Sequence, residues 1–108
     1  MKINILVIGR HEEILNTLLR IISKNEEWFA KGTLFDDEAI KLFDTIKFDI
    51  VLLSSGISAN CEDSLCLYFR DKNPAIKIIQ HYGGGSGLLS NEILQALNEP
   101  AALITKEG

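Results

Sequence analysis

Residues Phe48-Asp49-Ile50-Val51-Leu52-Leu53-Ser54 form an apolar run closed by a hydroxyl, the pattern of a buried parallel strand. A strand of that kind needs a layer above and a layer below, which directs the chain to an α/β architecture with the sheet in the middle. In open α/β sheets ligands and chemistry gather at the carboxyl ends of the strands. Ser54 stands at that end of the run, so the group offered there is an alcohol.

The rest of the chain alternates β-branched runs with helical patterns, as a parallel sheet with crossover helices requires. Residues 2–9 read as a first strand, and Ile14, Leu15, Leu18, Leu19 and Ile22 then recur at offsets of three and four along a helix spanning about 12–25. Trp28 and Phe29 are expected to cover the sheet edge, ahead of a weaker strand over 32–35. Asp36 or Asp37 then caps a second helix whose face is Ala39, Ile40, Phe43 and Ile46. After the central run, a loop over 55–60 leads to a third helix over about 62–70, with Leu65, Cys66 and Phe69 turned inward and Asn73-Pro74 as its stop. A fourth strand over 76–80 enters Tyr82-Gly83-Gly84-Gly85-Ser86-Gly87. Ser90 caps a fourth helix with Ile93, Leu94 and Leu97 as its stripe, Pro100 ends it, and 101–105 reads as a fifth strand.

A chain of 108 residues makes one domain, 1–108, with 46% hydrophobic and 24% charged residues placing it among ordinary globular proteins. The formal charge of −4, with no basic run, gives no electrostatic footprint for nucleic acid. The apolar start over 1–9 is too brief and too β-branched for a secretion signal, and no segment approaches the ~18 apolar residues of a membrane span. A cytoplasmic protein is expected. Cys61 and Cys66 are spaced as neither a redox pair nor a zinc knuckle, and the two histidines, His11 and His81, are far apart in sequence, so neither a metal nor a cofactor is expected.

The central run resembles the third strand of receiver domains of two-component response regulators, whose pattern ends in the aspartate that accepts a phosphoryl group. Ser54 stands where that aspartate would be. Ile5-Leu6-Val7-Ile8-Gly9-Arg10-His11 is similar to the family's first-strand motif, which usually ends in two acidic residues. Glu38-Ala39-Ile40 resembles its second-helix Glu-Ala-Leu, and Leu103-Ile104-Thr105-Lys106 resembles the fifth-strand end with its lysine. The resemblance covers nearly the whole chain. It implies a flavodoxin-like, receiver-like three-layer sandwich with a five-stranded parallel sheet in the order 2-1-3-4-5. It also implies that the final helix is missing, because 108 residues end shortly after the fifth strand.

The same resemblance implies a degenerate pocket made of Gly9, Arg10, Ser54, His81 and Lys106. Magnesium is anchored by carboxylates, and here Gly9 and Arg10 replace the acidic pair; a guanidinium only donates hydrogen bonds and repels a cation. A serine hydroxyl is a weak nucleophile without an activating base. Ser54 with His81, oriented by Glu12 or Glu13, would be the dyad of a hydrolase, but no Gly-x-Ser-x-Gly elbow surrounds Ser54. Not an enzyme is the expectation. Arg10, Ser54, Ser55 and Lys106, with Gly84, Gly85 and Ser86 of the glycine loop, form a possible anion-binding set. For Arg10 and Lys106 ordinary surface placement stays open beside it, and for the loop, simple mobility.

A phosphorylation-independent pseudo-receiver follows, acting in a two-component-type pathway through a protein partner or a second copy of itself; the alternative is a small anion or nucleotide sensor. Without a final helix one sheet face is expected to be half covered. Either the natural chain continues past Gly108 or a homodimer covers that face.

Overall fold

The computed structural model describes residues 3–54, 56–81 and 93–97. Four strands, β1 (Ile3–Ile8), β2 (Trp28–Thr33), β3 (Ile50–Ser54) and β4 (Lys77–His81), form one sheet in the order β2-β1-β3-β4. All three pairings are parallel, so each strand delivers its carboxyl end to the same edge. Three helices connect them: α1 (Glu12–Ser23), α2 (Asp36–Thr45) and α3 (Ala59–Lys72). This is the α/β sandwich implied by an apolar run buried on both faces, and every residue of β3 is buried.

Alternation along the strands divides the core. Ile5, Val7, Ile50 and Leu52 face α1 and meet Leu15, Leu18, Ile22 and Trp28. Leu6, Ile8, Val51 and Leu53 face the other way, toward Ala39 and Phe43 of α2 and Leu65 and Phe69 of α3. The amino-terminal edge is tied by Asn4, whose backbone N–H donates to Asp49 Oδ2 at 2.9 Å while its side-chain amide donates to the Lys47 carbonyl. No helix of the described residues is long and apolar enough to cross a membrane.

Several sequence expectations need correction. β2 begins at Trp28 rather than at Gly32, and Trp28 is a core residue instead of an edge cover. Gly32 hid this strand, since it reads as a break in the pattern; here it is the point where α1 touches the sheet. A Cβ on Gly32 would lie 2.8 Å from Leu19 Cδ1 and 2.9 Å from Leu15 Cδ1, closer than packed carbons tolerate. Neither Asp36 nor Asp37 caps α2: its N-cap is Phe35, which has no capping side chain, and Asp36 lies inside the first turn. α3 starts three residues earlier than the apolar spacing indicates, because Ser58 caps it by accepting from the Cys61 N–H at 3.3 Å. Ile14 and Leu94, read as core-facing, are 42% and 47% exposed.

The largest correction concerns the face that was to be half covered. Residues 93–97 are helical and pack on the α1 side: Ile93 is fully buried among Ile5, Val7, Ile50 and Leu52, with Leu97 packed against the same cluster. Ala96 takes the inward position that spacing assigns to Leu94. The fifth strand at 101–105 and the Ser90 cap lie outside the described residues.

Candidate functional site

The parallel sheet brings Gly9 and Arg10 after β1, Thr33 and Leu34 at the end of β2, and Ser54 at the end of β3 to one edge. The register sets Ser54 beside His81 of β4. Ser55, Gly84, Gly85, Ser86 and Lys106 lie outside the described residues.

Ser54 is 2% exposed, so its hydroxyl belongs to the packed interior. The reason is the neighbour across the β1–β3 pairing. A Cβ on Gly9 would stand 2.7 Å from Ser54 Oγ and 3.9 Å from Leu15 Cβ, which means the serine occupies the space a side chain at position 9 would need. Gly9 and Ser54 are therefore complementary, and a side chain at position 9 would require the serine hydroxyl to move. Among the described residues no group of three or more His, Cys, Asp or Glu could hold a metal.

Arg10 does not point a free cation into this space. Its NH2 group donates to Asp36 Oδ1 at 2.7 Å, and NH1 donates to the carbonyls of Leu34 and Gly9, both at 3.2 Å. With 25% of the arginine side chain and 34% of the aspartate exposed, the pair is half-buried and lies over the β1–β2 junction. Its charge is matched within the fold. Beside it Thr33, 3% exposed, donates its hydroxyl to Glu38 Oε1 and accepts from the Phe35 N–H at 3.1 Å. That bond satisfies the N–H of Phe35 itself, one of the donors left without a helical partner at the start of α2.

The neighbouring loop closes over the same edge. Gly56 has φ +97°, a backbone that favours glycine, and a Cβ there would be 3.2 Å from His11 Nε2 and 3.3 Å from Arg10 Cβ. His11 thus lies against the β3–α3 loop while it serves as N-cap of α1 without a side-chain cap. Glu12 and Glu13 fill the first turn of α1, where their charge offsets the helix dipole that would attract an anion.

Sequence reasoning placed Gly9, Arg10 and Ser54 at one edge, and the structure puts them there. It missed Thr33, Asp36 and Glu38, although a legible signal existed. In a sheet where β2 neighbours β1, an arginine just after the first strand and an acid in the helix turn after the second must meet. No protein-family model matches the chain, and no curated protein matches its sequence.

Proposed function

We propose that this chain is a phosphorylation-independent receiver-like module of flavodoxin-like fold, with residues 101–105 completing a fifth strand beside β4. It works by binding protein, in the cytoplasm and within a two-component-type pathway, and it performs no catalysis. The observation carrying this reading is the close packing of Gly9 on Ser54, a serine–glycine contact at the position where receivers use carboxylates. Arg10 supports it, since its pairing with Asp36 makes a structural tie of a residue whose place in a working receiver is acidic.

Incubation with acetyl phosphate and magnesium, followed by intact-mass measurement, tests the reading. No phosphoryl adduct is expected, and an adduct on any aspartate or on Ser54 would overturn it. The anion-sensor alternative has less support, because the first of its cations is already matched by Asp36. Thermal-shift measurement with inorganic phosphate and nucleotides separates the two, as a ligand at about 100 times its Kd adds roughly 2.7 kcal/mol.

A further inference from the structure

We propose that the outer edge of β2 is a homodimer surface, on which two copies pair antiparallel with Ala30 opposite Ala30 at a two-fold axis and join their sheets. The inference rests on the protein-binding reading above and names the partner as a second copy of this chain.

The β1–β2 pairing fixes which backbone groups the edge offers. The Ile3 N–H donates to the Glu27 carbonyl at 2.7 Å and the Gly9 N–H to the Thr33 carbonyl at 3.1 Å, at the two ends of a parallel register that sets Ile5 beside Ala30 and Val7 beside Gly32. In that pattern Phe29, Lys31 and Thr33 turn their N–H and carbonyl groups toward β1. Trp28, Ala30 and Gly32 turn theirs outward, to a side where no strand of the described residues lies. The Trp28 N–H is already used, donating to the Asn25 carbonyl at 3.0 Å.

An isologous pairing must match these outward residues with one another, which leaves three registers. Trp28 opposite Ala30 makes only two hydrogen bonds within β2, because the Trp28 donor is taken. Ala30 opposite Gly32 makes four, but sets Lys31 against Lys31 at the axis, in the non-hydrogen-bonded kind of pair where Cα atoms stand ~4.5 Å apart. Ala30 opposite Ala30 also makes four: two at the axis, and one from each Gly32 N–H to the Trp28 carbonyl of the other copy.

That last register sets Phe29 of each copy opposite Lys31 of the other, an ammonium beside a ring on both sides of the axis. Both residues lie on the α2–α3 face, since they pair with Asn4 and Leu6 of β1. Phe29 is 42% exposed and Lys31 is exposed, so α2 does not overhang them. Lysine is a common device for keeping an edge strand from pairing. Here it rejects one register and serves another.

Light scattering on the full chain at high micromolar concentration is expected to give twice the 12.0 kDa chain mass. Ala30→Pro removes the donor at the axis, and proline is tolerated on an edge strand where the N–H faces outward. It is expected to give a monomer whose β1 and β3 amide exchange is unchanged. Charge reads the register: Phe29→Lys, facing Lys31 of the other copy, is expected to weaken the dimer roughly tenfold, whereas Phe29→Glu preserves or tightens it at low salt. A monomeric parent, a dimer unmoved by Ala30→Pro, or equal or reversed effects of the two Phe29 variants would overturn the proposal. Should Ala30→Pro fail to fold, the two Phe29 variants decide. A monomeric parent that also takes no phosphoryl group sinks the dimer and leaves the proposed function standing, so the two failures are distinguishable.

Discussion

The two faces of the sheet are filled by different means. On the α2–α3 side the space is taken by rings: Phe43 and Phe69 lie 4.6 Å apart between centroids, Phe48 stacks on Phe43 at 6.3 Å, and Tyr68 meets Phe69 edge-on. On the α1 side the side chains are aliphatic except for Trp28; the helix comes so close that Gly32 has no room for a Cβ, and at Gly9 that room is taken by the Ser54 hydroxyl. A ring-filled face is vulnerable to deletion; a face built on close backbone approach is vulnerable to addition. The candidate site belongs to the second kind, because Ser54 and Gly9 sit at its carboxyl-end margin, where one serine hydroxyl fills the gap.

Phe69→Ala should have the largest effect, a loss of about 3–5 kcal/mol, since the ring is fully buried and touches the two rings beside it. Denaturant melts read this directly, and a loss under ~1 kcal/mol would mean the α2–α3 face is filled some other way. On the opposite face Gly32→Val should cost about 1–3 kcal/mol by overpacking against Leu15 and Leu19. If the variant instead gains stability, α1 does not approach the strand as closely as described.

Gly9→Ala should cost less than Gly32→Val, because only the Ser54 hydroxyl has to yield. The cost should shrink in a Ser54→Ala background, so the double-mutant cycle is predicted to be non-additive in the relieving direction. Additivity would separate the two residues. Smaller still, the Arg10–Asp36 pair should show a coupling of about 0.2–1 kcal/mol that falls with added salt, since both side chains are partly exposed.

The smallest effect tests the tie across the outer surface of the ring-filled face. Tyr68 Oη donates into the Asp44 carboxylate, 2.8 Å from both oxygens, and Lys72 Nζ lies 5.5 Å from its ring centroid. The hydrogen bond to Asp44 holds the phenol above its ordinary range. A raised pKa in the folded state means the contribution is complete below the tyrosine's unfolded pKa of about 10 and is lost as pH climbs through the higher folded value. Ultraviolet titration in a Tyr82→Phe background should show late ionisation of Tyr68, returning toward normal in Asp44→Asn. On the same face, burial pushes the Cys66 thiol up, so it should react with a thiol reagent more slowly than Cys61.

The alternation of β1 and β3, the helix faces at Leu15, Leu18 and Ile22 and at Leu65 and Phe69, and the strand order along β2-β1-β3-β4 were all legible from spacing and resemblance. These signals are local, and each follows from one element burying one face. Trp28–Thr33 was illegible as a strand because its burial alternates imperfectly and its glycine serves a partner helix rather than its own conformation. In the candidate site Gly9 and Ser54 were visible as substitutions in a motif, but their mutual fit was not.

What the amino-acid order determined by itself is the layered α/β character and the absence of acids at Gly9, Arg10 and Ser54, since periodicity and residue identity are written one position at a time. Tertiary structure alone decided that Arg10 is matched by Asp36 across 26 positions and that Ile93 covers the α1 face. Both depend on which elements become neighbours, and that choice is settled by the packing of the whole sheet, where crossover direction and buried area act together.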